Sequence, residues 1–428
     1  MASSVNPPRG MRDFLPAEKA RRERVLAVIR SVYSAHGFEE IETPVMEDSH
    51  RLHAGLGGDN EKLAFGVLKR GLTAEDLAAA KDPLELADLG LRFDLTVPLA
   101  RFYATHRAEL PRVFRSIQIA PVWRAERPQK GRYRQFVQCD IDIIGAEGPL
   151  AEVELIVATV ATLDALGLTD CTIRINDRRV LTGLLDSVGF PRAEHEAALV
   201  TIDKLDKLGP DGVIAELRER GFAEKAIVAL DVHLAGFRGA GIPLDAQQMS
   251  AELPAGVDRE VIAILAALGD AVGGAGIAKS RLRFDPFLVR GMGYYTGTIF
   301  EVEHPDLAYS LGGGGRYDGM IGKFLGTDVP AIGFSLGFER IVDLVELNGG
   351  IAADAVALLY DADVAPATLM QLKAALIAGG SRVRLERAPR NVKPLLAQLA
   401  ASGFSRIATV AADTTGVDDL EFRELVAD

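Results

Sequence analysis

Seven basic residues fall between positions 112 and 134: Arg112, Arg115, Arg124, Arg127, Lys130, Arg132 and Arg134, against one acidic residue, Glu126. The whole chain carries a formal net charge of -12, so this cluster runs against its background. Guanidinium forks match phosphate oxygens in pairs, which positions a phosphate as well as attracting it. Such a cluster suits a polyanion. Just downstream, Gln138, Asp140 and Asp142 alternate, and the period of two in a strand puts all three on one face. A face with a cationic end and an acidic end fits a ligand that carries both phosphates and a cationic amine. The blander alternative is a hairpin with a solvated charged face, which leaves the acidic alternation without a purpose.

Three further segments have the composition of a site. Residues 288–301 place Arg290, Tyr294 and Tyr295 among Gly291, Gly293 and Gly297. Glycine lets a backbone approach a ligand closely, and tyrosine supplies an apolar wall with a polar tip. A tyrosine-rich core corner beside a turn is the competing explanation. The run Gly312 to Gly315 reads as a flexible turn leading into Arg316, Tyr317 and Asp318. It is not a dinucleotide fingerprint, because no strand–helix–strand unit surrounds it and no acidic residue follows at the expected distance. Arg340 falls on a helix just after a strand, near enough to the glycine run to share a pocket; alone it would be a salt-bridge partner on a helix face. No segment matches a Walker A loop, a Ser/His/Asp order or a zinc spacing, so no protein-held metal is expected.

These residues need elements to hold them, and the pattern predicts an α+β fold. A helix is expected over 16–36, with Val25, Leu26, Ile29, Val32 and Tyr33 on its apolar side, closing at Gly37 into a strand over 38–44. A strand over 91–98 would carry Arg92, Asp94 and Thr96 at alternate positions and lead into a helix ending near 106. Strands over 118–124 and 135–144 flank a loop at 128–131. An amphipathic helix is predicted over 148–166 and a strand over 172–176. From about 178 to 276 the texture is helical and broken by glycine, which reads as an inserted helical module centred on 190–276. Strands return at 284–290, 298–303, around Tyr309 and at 331–334, the last entering the helix that holds Glu339, Arg340 and Val342. After Gly349 and Gly350, strands at 355–360, 382–386 and 406–411 alternate with helices at 365–378 and 391–401. That alternation marks a small α/β domain with a largely parallel sheet. The expected division is a core over 1–348 and a second domain over 352–428.

Length and composition agree with this organisation. A chain of 428 residues accommodates roughly two or three domains, and 48% apolar with 25% charged residues is ordinary for a soluble globular protein. The first 16 residues lack the apolar stretch of a signal peptide, and no run is long enough to span a bilayer, so a cytoplasmic protein without membrane contact is expected. Cys139 and Cys171 are the two cysteines, both in predicted strands and without metal-ligand spacing; they read as core thiols in a reducing compartment. A pI near 5.2 argues against a nonspecific nucleic-acid coat but leaves room for RNA on one local basic surface.

Taken together, these segments resemble the histidyl-tRNA synthetase family of class II aminoacyl-tRNA synthetases. Residues 124–136 look like motif 2 and its loop (118–145 with the strands), 290–297 and 313–319 like the two histidine-specific segments, 331–342 like motif 3, and 37–44 like motif 1, the dimer element. The resemblance runs in order from Pro8-Arg-Gly-Met-Arg-Asp-Phe to the C-terminal α/β domain. It implies an antiparallel sheet core flanked by helices, with a helical insertion and an anticodon-binding-like domain. Asp94, Leu95 and Thr96 would hold the α-amino end of histidine. Gln138 and Asp142 would take the amino group and imidazole side, and Tyr294 and Tyr295 would wall the imidazole. Arg124 would clamp the α-phosphate and the histidine carboxylate, and Arg290 would stand at the α-phosphate. Arg340 would hold the γ-phosphate end, with Glu126 near adenine and ribose. Arg127, Gln129 and Arg132 would approach the tRNA acceptor end. The implied reaction ligates L-histidine to tRNA(His) through histidyl-adenylate, with ATP as substrate carrying Mg2+, in a cytoplasmic homodimer.

The chain departs from the family pattern in having Gly293 where members commonly have an acidic residue. Its C-terminal domain is short and slightly acidic, and lacks the terminal helix the family leads one to expect. The competing resemblance is a non-charging paralogue such as the histidine-sensing regulatory subunit of ATP phosphoribosyltransferase. That class lacks the anticodon domain and has eroded ATP-clamping arginines, whereas Arg124, Arg290 and Arg340 are all present here. A nucleic-acid-binding module without catalysis would leave the Gln138 and Asp142 face unexplained.

Overall fold

The structure is a computed structural model and describes residues 5–53, 63–128, 131–236, 241–291, 293–346 and 354–425. Along the first part of the chain, helix α1 (Pro16–Ala35) is followed by β1 (Glu39–Glu40), β2 (Met46–Asp48), α2 (Ser49–His53), β3 (Phe65–Leu68), α3 (Ala74–Ala79), β4 (Ala87–Leu91) and α4 (Thr96–His106). Then come β5 (Phe114–Trp123), β6 (Gln135–Ile144), α5 (Leu150–Ala165) and β7 (Thr172–Asp177). Six helices follow: α6 (Arg178–Val188), α7 (His195–Ile202), α8 (Leu205–Glu219), α9 (Glu224–Gly236), α10 (Ala246–Glu252) and α11 (Arg259–Gly274). The chain returns to strands with β8 (Leu282–Phe284), β9 (Thr298–Glu303) and β10 (Gly312–Arg316), then α12 (Asp318–Leu325), β11 (Ala331–Gly337) and α13 (Phe338–Leu344). The last elements are β12 (Ala355–Tyr360), α14 (Pro366–Ala378), β13 (Arg382–Arg387), α15 (Lys393–Ala401), β14 (Arg406–Val410) and β15 (Arg423–Glu424).

Two compact units result: residues 1–12 with 27–345, and residues 13–26 with 346–428. The first is built on an eight-stranded sheet in the order β1-β5-β6-β11-β10-β9-β7-β8. Its inner pairs are antiparallel, and only the outermost pairs, β1 with β5 and β7 with β8, are parallel. The β5–β6 hairpin pairs from Phe114 opposite Ile144 to Trp123 opposite Gln135, a long stiff platform for any group mounted on it. A separate three-stranded sheet, β2-β4-β3, sits in the same unit. In the second unit, β13, β12 and β14 are parallel and β15 is antiparallel. Both faces of that sheet are covered: Val356, Leu358, Leu372 and Val410 pack on one side, Ala357, Leu359, Leu399 and Phe404 on the other. Among the described residues, no helix is long and apolar enough to cross a membrane.

Several local expectations need correction. The strand expected over 91–98 stops at Leu91, and α4 begins at Thr96. The carboxylate of Asp94 accepts from the backbone N–H of Val97 at 3.2 Å, a capping arrangement that starts a helix. Pro98 sits in the first turn, where its missing N–H costs nothing. Arg92, Asp94 and Thr96 therefore do not share a strand face. The expected strand over 38–44 shrinks to Glu39–Glu40, that over 284–290 to Leu282–Phe284, and Tyr309 lies in no strand. Helix α5 buries one side, as expected: Glu152, Leu155, Thr159, Thr162 and Leu163 recur at three- and four-residue spacing, although that side includes a charged residue. Cys139 and Cys171 are buried and form no disulfide, Cys171 lying just before β7 rather than within it.

The largest correction concerns the glycine run, which is a strand and not a turn. β10 pairs along Gly312–Gly315 with both β11 and β9. None of the four glycines has a positive φ, so left-handed backbone is not the reason for them. Space is the reason. A Cβ on Gly314 would lie 1.9 Å from the Gly333 carbonyl oxygen, and one on Gly312 would lie 2.5 Å from that of Ser335.

Candidate active site

Residues directly opposed in a ladder share a face. Gln138, Asp140 and Asp142 stand opposite Gly337, Ser335 and Gly333 of β11, and Gln118 of β5 stands opposite Asp140. Ser335 and Gly333 are in turn opposite Gly313 and Gly315, and Gly313 is opposite Glu301. One face of the sheet is thus a strip of polar side chains beside a floor of glycines. Other groups use that floor closely. A Cβ on Gly313 would meet the Arg290 guanidinium at 2.7 Å, one on Gly315 the Tyr295 ring at 2.9 Å, and one on Gly333 the Asp142 carboxylate at 1.9 Å. The same parity sends Arg115 to the opposite face, where Glu154 of α5 holds it through two bonds of 2.6 and 2.8 Å. Arg115 is therefore not part of the polyanion-facing cluster that its position in sequence led us to expect.

The acidic end gathers three buried carboxyls, Asp94, Asp140 and Asp142. Tyr317 donates its hydroxyl to Asp142 at 2.6 Å. Burial, with the nearby Asp94 charge adding to it, pushes the Asp142 carboxyl up to about 7 even against that bond. Burial likewise pushes Asp94 up to about 6, although the Val97 and Thr96 amides and Arg124 favour its charged form. Asp140 is held well above the carboxylate range by burial and then by Asp142. Among the described residues, four acceptor oxygens here have no partner: Asp94 Oδ2, Asp140 Oδ1, Gln118 Oε1 and Gln138 Oε1. Tyr294 packs on Tyr295 at 4.8 Å and meets Tyr317 edge-on at 6.1 Å, forming the wall. Thr96 hydrogen-bonds the Tyr294 hydroxyl, and Leu95 is buried behind it. Unsatisfied buried acceptors are costly unless a ligand answers them, and only a donor-rich cation answers several at once.

The cationic end is organised differently. Arg290 Nη1 donates to Glu301 at 2.7 Å. Burial works against the Arg290 charge, but Glu301, Tyr295 and Asp203 outweigh it and hold its pKa above the ordinary value. Arg340 donates to the Ser310 carbonyl and, at 3.4 Å, to that of Gly131, and lies 4.9 Å over the Tyr309 ring. Burial, then the charges of Arg132 and Arg290, hold Arg340 below its usual value, so the three guanidinium groups are close enough to repel one another. Arg124 donates to the Phe93 carbonyl at 3.0 Å and lies 5.0 Å from the Phe136 ring centre, on the side of Asp94 and Asp140.

The structure therefore brings together Asp94, Leu95, Thr96, Gln138, Asp142, Tyr294, Tyr295 and Arg124, and groups Arg290 with Arg340 and Arg132. Glu126 faces Arg132 at 3.9 Å, both exposed, and Arg127 is also exposed. Gln129 lies outside the described residues. Sequence reasoning assigned no role to Tyr317, Ser335 or Glu301, whose only signal was adjacency to the glycine run, to Gly333 and to Tyr294–Tyr295. It also missed the base of the basic loop. Arg12 pairs with Glu339 and lies 3.6 Å over the Tyr133 ring, while Glu339 accepts from the Val137 N–H at 3.3 Å. Among the described residues, no group of His, Cys, Asp and Glu could hold a metal ion.

A sequence model of the family described as Histidyl-tRNA synthetase matches residues 10–341. The chain belongs to the histidyl-tRNA synthetase family.

Its similarity to family members extends over nearly all of its length. It is 63% identical to the Histidine--tRNA ligase of Leifsonia xyli subsp. xyli over 424 residues, covering 97% of this chain and 98% of that one. It is 44% identical to the Probable histidine--tRNA ligase of Tropheryma whipplei, covering 94% of each. Among solved structures it superposes on the histidyl-tRNA synthetase of Nostoc sp. PCC 7120 with a TM-score of 0.75 and 26% identity, covering 99% of this chain and 95% of that one. An ATP phosphoribosyltransferase regulatory subunit/histidyl-tRNA synthetase from Bacillus halodurans C gives the same TM-score at 20% identity, covering 97% of this chain and 100% of that one. That second likeness concerns the fold alone. The higher sequence identities, 63% and 44%, are to histidine--tRNA ligases.

Proposed function

We propose that this chain ligates L-histidine to tRNA(His) with ATP, through a histidyl-adenylate intermediate. The observation that carries the reading is a single sheet face with unpartnered buried acceptors at one end and Arg290, Arg340 and Arg132 at the other. The histidine carboxylate attacks the α-phosphorus in line, and the bond from that phosphorus to the pyrophosphate oxygen breaks. A terminal ribose hydroxyl of the tRNA then attacks the aminoacyl carbonyl, and AMP leaves. Neither step needs a protein nucleophile; positioning and stabilisation of phosphate charge suffice.

In this reading Asp94, Thr96 and Gln138 take the ammonium group, and Leu95 backs them. Asp142, Tyr294, Tyr295 and Tyr317 receive the imidazole. Arg124 bridges the amino-acid carboxylate and the α-phosphate, Arg290 meets the α-phosphate, and Arg340 the γ-phosphate end. Glu126 lies toward adenine and ribose, while Arg127, Gln129 and Arg132 serve the acceptor end of the tRNA. Mg2+ arrives on the nucleotide, which fits a site that offers oxygens to the amine and guanidinium groups to the phosphates. The unit containing residues 346–428 stands where the family resemblance implies an anticodon-binding-like domain. The enzyme works in the cytoplasm as a homodimer: Val45, Met46, Leu68 and Leu89, on or beside the three-stranded sheet, expose apolar side chains that a second subunit would cover.

The test is histidine-dependent ATP–pyrophosphate exchange, followed by charging of total tRNA with the same preparation. Exchange with charging is the expected result. Exchange without charging would move the defect to RNA recognition, and histidine binding without exchange would replace this reading with the regulatory paralogue.

A further inference from the structure

The Gln138 side chain is an amide with a donor end and an acceptor end, and its neighbours decide which end faces the pocket. Its Nε2 donates to the Ser335 hydroxyl oxygen at 3.0 Å. Ser335 has one proton to give, and the Asp140 carboxyl, its direct partner across β6 and β11, is the neighbour placed to receive it. With that proton committed, the Ser335 oxygen presents lone pairs to Gln138, and only the NH2 end of the amide can answer them. The carbonyl end is turned away, and Gln138 Oε1 is left buried without a partner among the described residues. A flipped amide would instead point NH2 at an incoming ammonium group, a donor facing a donor.

We infer that Ser335 and Asp140 are positioning residues, which lock the Gln138 amide with its carbonyl toward the α-ammonium group of the bound amino acid. Around Ser335 the same face carries Gly333, Gly337 and Gly313, positions where the sheet has no side chain at all, whereas Asp140 stands beside Gln118. A buried hydroxyl–carboxyl pair costs desolvation free energy that a small apolar residue would not. Asp140 also retains one carboxyl oxygen without a partner, an expense with no structural return. The inference rests on the proposed amino-acid activation, because the ammonium group is what the carbonyl addresses.

Kinetics of the exchange reaction test this with Ser335→Ala, Asp140→Ala and Asp140→Asn in the full chain. Each alanine variant is expected to raise KM for histidine by about tenfold, the worth of one hydrogen bond to a charged group, with kcat within about twofold. Asp140→Asn keeps an acceptor for the Ser335 proton and should recover KM to within about threefold of wild type. Two inhibitors identify the group concerned. Histidinol keeps the amine and should weaken in step with histidine, whereas imidazolepropionate lacks the amine and should be unaffected. Unchanged KM in both alanine variants would overturn the inference. So would equal weakening of imidazolepropionate, failure of Asp140→Asn to recover, or loss of kcat and melting temperature at constant KM. If wild type itself gives no exchange, the activation reading fails instead, and calorimetric histidinol binding to the same variants still decides the orientation of Gln138.

Discussion

The two ends of the polar sheet face hold their charges in opposite ways. At the acidic end Asp94, Asp140 and Asp142 are buried, Asp94 and Asp140 each with an oxygen unanswered among the described residues, and all three are displaced toward the protonated form. At the cationic end Arg290 and Arg340 already donate to protein acceptors, although Arg290 Nε has none among the described residues. Arg290 is held by Glu301, and Glu301 also faces Arg174 at 3.4 Å. Arg174 is anchored by Asp285 at 2.8 Å and by Asp206 of α8 at 2.6 Å. The difference follows from acid–base chemistry. A buried carboxyl near pH 7 can shed its charge by taking a proton, so it survives without a partner until a cation arrives. A guanidinium group stays protonated throughout that range, so the fold must supply acceptors for it beforehand: a carboxylate for Arg290 and backbone carbonyls for Arg340. A site for a zwitterion joined to phosphates is therefore loose at one end and braced at the other.

The most severe way to break the comparison is to remove a braced charge. Arg290→Ala should lower adenylate formation on the order of 100-fold or more, as loss of an aimed charge contact does. Pyrophosphate exchange measures it, and a near-normal rate would take Arg290 out of the chemistry. The corresponding change at the loose end is Asp142→Asn. It should raise KM for histidine by roughly 30-fold, because one hydrogen bond to a charged ligand is lost. If KM stays put, an ionised Asp142 is not what holds the amino acid.

The brace itself is tested by Glu301→Gln, which leaves Arg290 present but less firmly aimed. A fall in kcat of about tenfold is expected, with little further loss when the change is added to Arg290→Ala, since the two act as one unit. Additive losses would mean that Glu301 acts elsewhere.

The smallest effect concerns pH. Asp94 and Asp142 keep their protons in the folded protein up to about 6 and about 7, whereas unfolded carboxyls lose theirs near the ordinary range. Their contribution to stability is therefore present in full below the unfolded range and is lost as pH rises through about 6 and then about 7. Lowering pH from 8 to 6 should raise the melting temperature of the ligand-free protein by about 3 °C more in wild type than in Asp142→Asn. Equal responses in the two proteins would show that the Asp142 carboxyl is already charged when the pocket is free. Over the same interval histidine binding should weaken, because the ligand needs the ionised carboxylates.

Much of the site could be read along the chain where its signal is local. The alternation of Gln138, Asp140 and Asp142 is a period of two within one strand, and β6 runs over the predicted residues 135–144. The same holds for β9 and β12, whose ends match the predicted ranges. Local reading went astray where a pattern had two meanings. Glycines punctuate turns in most sequences, yet Gly312–Gly315 form an inner strand because Gly333, Ser335, Arg290 and Tyr295 occupy the space their side chains would need. Asp94 two residues ahead of Thr96 looks like strand alternation, yet α4 begins at Thr96 and the Asp94 carboxylate accepts from the Val97 N–H in its first turn. Arg115 and Arg132 belong to one basic run, yet the pleat sends the first to Glu154 and leaves the second beside Glu126.

Sequence alone determined which residues could do chemistry, their spacing along each strand, and the largely parallel α/β character of the second unit, since propensity and periodicity act over a few residues. Tertiary structure alone decided that the glycine run forms the floor of the site. It also decided that Tyr317 meets Asp142, that Ser335 and Asp140 orient Gln138, and that Glu301 and Arg174 brace Arg290. Each of these depends on strand register and burial between segments far apart in the chain, and no local pattern encodes which strands become neighbours.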